Sequence, residues 1–75
     1  MDDFSAKLAL AERLLETDPL AAADHAQACL VSGDRSVTAR AAFVAGSAMC
    51  RTGHLEEARP LLTQARGGFL ALAQP

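Results

Sequence analysis

The chain has no tryptophan, no tyrosine and only three phenylalanines in 75 residues, so large anchors for a core or an interface are scarce. Lys7 is its one lysine beside six arginines, the net charge is −2 and the pI lies near 5.5. A surface built for phosphates carries a basic excess, so nucleic acid is not an expected partner. Cys29 and Cys50 are too few and too far apart for a disulfide framework or a zinc knuckle. Both are expected to be small, reduced, apolar helix residues. No apolar run approaches the roughly 20 residues that cross a bilayer, and Met1-Asp2-Asp3 is acidic where a secretory signal is basic. No membrane association is expected, and the expected location is cytoplasmic. Ser5, Ser32, Ser36 and Ser47 lack a nucleophile elbow, and there is no glycine-rich phosphate loop. His25 and His54 sit on different hairpins, without a nearby carboxylate pair at i, i+4 to suggest a metal face. The reading is therefore not an enzyme, with no catalytic, cofactor or metal site.

What the chain does have is alanine, seventeen of them in a sequence that is 51% apolar. Alanine lets helices approach closely but buries little area, so a single domain of this length is expected to be held by a few kcal/mol. Four helices can be placed. The first runs from about Asp3 to Glu16, capped by Asp2 or Asp3, with Phe4, Leu8, Ala11 and Leu15 in one stripe widened by Leu10 and Leu14. Asp18 caps the second and Pro19 takes its first position, where a missing N–H is harmless. That helix ends near Ser32, with Gly33 expected in the left-handed closing conformation. Its packing stripe is Ala22, Ala26, Cys29 and Leu30. Asp34 or Ser36 caps the third helix, which reaches about Thr52 and closes on Gly53. Its stripe is Ala42, Ala45, Gly46 and Met49. Gly46 costs about 1 kcal/mol against alanine inside a helix, which implies close approach of a neighbouring helix backbone. The fourth begins near Leu55 with Glu56 and Glu57 in its first turn, and a bend is expected at Pro60. It is expected to continue, straight or slightly kinked, through Gly67 and Gly68 into Phe69-Leu70-Ala71-Leu72.

The two halves of the chain repeat each other at an offset of 36 positions, which sets Asp18-Pro19-Leu20-Ala21-Ala22 over His54-Leu55-Glu56-Glu57-Ala58. A period in the thirties built from two helices points to stacked helical hairpins. The segment from Ala39 to Ala65 resembles a tetratricopeptide repeat at Gly46, Gly53, Ala58, Leu62 and Ala65. Ala9 to Cys29 looks like a degenerate copy, matching at Leu20, Ala22 and Ala26 and departing at Leu10, Arg13 and Cys29. The offset exceeds the usual period of about 34 residues, which affects the inter-hairpin loop first. The resemblance implies an all-α fold of two antiparallel helical hairpins, stacked as a short tetratricopeptide-like solenoid over residues 1–75. Repeat one would cover about 3–33 and repeat two about 36–73. It also implies a docking or regulatory segment of a bacterial signalling protein.

In that family the first helix of each hairpin lines the binding groove. By position the groove would be Phe4, Lys7, Ala11 and Leu15, then Arg40, Phe43, Ser47 and Arg51. The last four share one helix face, and the two arginine forks are placed to hold a carboxylate of a protein or peptide partner. The other reading of these four is a solvated polar stripe with Phe43 turned inward. A solenoid repeat buries its apolar face only against neighbours, and Leu62, Phe69, Leu70 and Leu72 have no capping helix after them. An alternative function is therefore self-association, a homodimer formed through the Leu55–Leu72 helix or by exchanging it.

Overall fold

The second and third helices each start on one capping side chain. Asp18 accepts a hydrogen bond from the Ala21 amide (3.2 Å), and Pro19 follows with its φ already helical. Asp34 accepts from the amides of Ser36 (2.8 Å) and Val37 (3.4 Å), so the third helix is capped by Asp34 and not by Ser36. In the computed structural model, which describes residues 3–73, these signals delimit α1 (Asp3–Leu14), α2 (Pro19–Cys29), α3 (Arg35–Arg51) and α4 (Leu55–Ala73). The fold is all-helical, with four helices and no strand among the described residues. The expected cap of α1 by Asp2 or Asp3 rests on side chains outside the described residues.

Helix ends follow local chemistry too. Gly53, at φ +84°, closes α3: its amide donates to the Cys50 carbonyl and the His54 amide donates to the Met49 carbonyl. This paired closure needs a left-handed residue, which glycine adopts without steric cost. Gly33 does not repeat it. Gly53 is the only glycine at positive φ among the described residues. α2 ends earlier than expected, at Cys29, and the Ser32 hydroxyl accepts from the Asp34 amide (3.1 Å). Side chains rather than a glycine turn the chain there.

Consecutive helices pack on each other, and α1 also meets α3, whereas α1 and α2 make no contact with α4. The core forms two layers of different character. The first joins α1, α2 and α3 around Leu8, Ala11, Ala26, Cys29 and Val44, with Phe4, Leu14, Leu15, Leu30, Met49 and Leu61 packed on its edges. Leu8 and Cys29 are its largest fully buried side chains. Leu10 does not join it as expected. The 4-8-11-15 stripe faces inward, which leaves Leu10 40% exposed on the flank.

The second layer, between α3 and α4, is made of small residues. Ala39, Ala42, Ala58 and Ala65 are buried there, and two glycines make the contact possible. A Cβ on Gly46 would lie 2.7 Å from Leu62 Cγ and 3.3 Å from Leu61 Cβ. The close approach that Gly46 implied is therefore made by leucine side chains and not by backbone. A Cβ on Gly68 would lie 2.8 Å from the Ala39 Cβ. Position 39 meets 68 while 46 meets 61 and 62, so α3 and α4 run antiparallel. α4 passes unbroken through Pro60, Gly67 and Gly68.

Candidate functional site

The outward face of α3 reaches α1 on one side and α4 on the other. Arg40 grips Glu12 of α1 with two hydrogen bonds, Nη2 to Oε1 at 2.7 Å and Nε to Oε2 at 3.3 Å. One turn on, Phe43 is 50% exposed and meets Phe69 of α4 edge-to-face, with ring centroids 6.5 Å apart at 70°. Ser47 is half-buried, and Arg51 is exposed in the last turn, where the helix dipole favours a cation. On α1, Ala11 is fully buried, Phe4 and Leu15 are half-buried against the core, and Lys7 is exposed. Of the residues assigned to a groove, Lys7, Arg40, Phe43 and Arg51 are thus exposed, and the fork of Arg40 is occupied by a carboxylate of this chain.

The fold joins two sets that the sequence reading kept apart. Phe43, assigned to the groove, and Phe69, assigned to the self-association face, form one aromatic pair. Leu70 and Leu72 are exposed near it, and Leu62 is half-buried where it meets Gly46.

An open groove of about 390 Å³ lies on the α3–α4 hairpin, lined mostly by α4. Its apolar lining is Cys50 of α3 with Leu55, Ala58 and Leu62 of α4, and its polar lining is Arg59, Thr63 and Arg66. Cys50 is exposed and lines this groove, while Cys29 sits in the core. The Thr63 hydroxyl donates to the Arg59 carbonyl (2.9 Å) within the helix. Neither Arg59 nor Arg66 makes an ion pair among the described residues, where Arg40–Glu12 is the pair present. No carboxylate lines the groove. Leu55, Arg59, Leu62, Arg66 and Phe69 alternate spacings of four and three, the period of one helix face. That spacing is visible in the sequence, but matching the two repeats draws attention to shared residues and passes over the arginines.

No group of three or more His, Cys, Asp or Glu side chains gathers among the described residues. His54 lies just before α4, where its carbonyl accepts from the Ala58 amide and its Nδ1 lies 2.8 Å from the Thr52 hydroxyl. No helix among the described residues is long and apolar enough to cross a membrane. What the exposed chemistry offers is an apolar trough edged by cations. No family model, no curated protein and no solved structure matches the chain, so no relative supplies a family or an activity for it.

Proposed function

We propose that the chain is a non-enzymatic protein-interaction module, two tetratricopeptide-like hairpins stacked as a short solenoid, which docks a protein partner on the exposed side of its second hairpin. One comparison within the molecule carries this reading. The 36-position offset sets Leu14, Ala22, Ala26 and Leu30 over Cys50, Ala58, Leu62 and Arg66. In the first hairpin those four are buried or packed against the core that α3 completes. In the second hairpin the matching four line the open groove. Ala58 is buried against α3, but Leu62 is only half-buried and Cys50 and Arg66 are exposed, so a face built like one that a helix covers is left partly uncovered, which favours a docking surface. The chain of contacts from α1 to α4, with α3 resting on both α1 and α2, supports the stacked arrangement. The resemblance suggests such a module in a bacterial signalling protein, and the sequence composition suggests a cytoplasmic one.

The test uses exposed residues, so that the fold survives. Leu55 is 64% exposed and Leu70 54%, and a Leu55→Glu/Leu70→Glu variant should keep its helical circular dichroism. Immobilised wild-type chain should retain specific proteins from an extract of its source cells, and the variant should lose them. Retention unchanged in the variant overturns the reading. Concentration-dependent dimerisation in sedimentation equilibrium, abolished by the same substitutions and accompanied by no captured protein, would favour self-association through Leu62, Phe69, Leu70 and Leu72 instead.

A further inference from the structure

We infer that the occupant of the α3–α4 groove is an amphipathic helix of a partner protein that sets small apolar residues into the trough and two carboxylates, two turns apart, over Arg59 and Arg66. The inference rests on the interaction-module reading and names the chemistry of the partner.

The shape comes from α3 itself. α3 covers the first hairpin with Val37, Ala41, Val44, Ala45 and Ala48, a stripe of small residues at helical spacing that is buried in the shared cluster. The corresponding face of the second hairpin is likewise floored by Ala58 and Leu62. A helix with a similar narrow stripe fits against it, whereas a broad aromatic face would be held off.

The charge comes from where the two hairpins differ. Ala23, buried in the core shared by α1, α2 and α3, and Leu30, packed against it, correspond at the same offset to Arg59 and Arg66. Two positions that meet apolar surface in the first hairpin are cationic in the second. An occupant identical to α3 would trap two guanidinium groups against hydrocarbon, and burying an unpaired charge is strongly unfavourable. An occupant with carboxylates at those points turns the same groups into bidentate, charge-assisted hydrogen bonds. Arg59 and Arg66 are seven residues apart, about 10 Å along the axis at 1.5 Å per residue. A helix lying alongside α4 therefore meets both with Asp or Glu at positions i and i+7.

That requirement also argues against a second copy of the chain. No two of its nine acidic residues are seven apart, and Glu12, one of the pair Glu12 and Glu16 on one side of the chain's first repeat, already holds Arg40. The chain does not carry the complement of its own groove.

The probes are two fluorescein-labelled, side-chain-stapled 18-residue helices with the same alanine and valine stripe, one with Glu at i and i+7 and one with Lys there. Cys50 supplies a second, label-free readout, since it is exposed at the groove whereas Cys29 is buried. The Glu helix should bind wild-type protein and slow the reaction of Cys50 with a thiol reagent at least tenfold. Its affinity should fall at least tenfold in Arg59→Glu/Arg66→Glu, and the Lys helix should bind that variant better than it binds wild type. If the double reversal fails to fold, Arg59→Gln/Arg66→Gln should show the loss without the reversal. Equal binding of both helices to wild type overturns the inference, as does no binding of either, or binding that leaves Cys50 reactive. Protection of Cys50 by raised protein concentration alone, with dimer formation, would assign the groove to a second copy and overturn it too. Should the peptides fail while Leu55→Glu/Leu70→Glu still abolishes partner capture, the docking reading stands and only the acidic-helix assignment falls.

Discussion

Gly67 and Gly68 are neighbours with opposite roles. Both lie inside α4, where glycine is about 1 kcal/mol less favourable than alanine. A Cβ on Gly67 would meet nothing within 4 Å, so Gly67→Ala should stabilise the protein by about 1 kcal/mol. A Cβ on Gly68 would lie 2.8 Å from the Ala39 Cβ, an atom fixed to its backbone, so helices must move apart. Overpacking of that kind costs about 1–3 kcal/mol and exceeds the propensity gain, so Gly68→Ala should destabilise. Urea denaturation of the two variants decides the point, and shifts of the same sign would refute this account of the α3–α4 contact. Asp34→Ala should cost about 1 kcal/mol by the same measurement, because it leaves the Ser36 and Val37 amides without their acceptor. Caps at Asp18, Asp34 and Gly53 were legible in the sequence because each is decided within a few residues. Gly33 was misread because its alternative, the Ser32 hydroxyl bond to Asp34, gives the same turn by another route.

At the scale of elements, α3 belongs to both layers, while α4 adds only the edge contact of Leu61 to the first. The larger buried groups all lie in the layer shared by α1, α2 and α3, while α4 contributes Ala58 and Ala65 as its fully packed residues. Little apolar area secures α4, so it should open independently of the rest. Native-state hydrogen exchange should give α4 amides a lower opening free energy than those of α3 around Val44 and Ala45. Equal values would mean that the two layers unfold as one. The Phe43–Phe69 pair is one of the few larger contacts that hold the far end of α4, and a double-mutant cycle to alanine should return a coupling of about 0.5–1.5 kcal/mol. Helix number and helix starts were readable from periodicity and caps, whereas α1 and α2 end earlier than expected and this pairing was not readable. It joins residues far apart in sequence, and periodicity reports which side a residue faces without reporting what it meets there. The Arg40–Glu12 pair escaped for the same reason, and with it the fact that Arg40 is already engaged.

For the whole molecule, stability and occupancy are linked. A thin core leaves the native state only a few kcal/mol below the unfolded chain, so any partner that binds the folded form weighs heavily. A helix present at about 100 times its dissociation constant adds about 2.7 kcal/mol. In a domain of this size that raises the melting temperature by about 10–20 °C. Calorimetry with the Glu helix should show that rise, and an unmoved transition would mean that it does not bind the native state. The absence of any contact from α1 or α2 to α4 has a consequence in time. Every helix finds its neighbour across a connection of a few residues, so little loop-closure entropy delays the search, and such low contact order accompanies folding in microseconds to milliseconds. With no tryptophan to follow, infrared detection after a temperature jump is the suitable clock. It should record a fast phase for the first three helices and a separable, faster-melting step for the fourth. The chain would then be assembled well before a partner reaches it, and the groove on α4 would be the last part of the molecule to come into being.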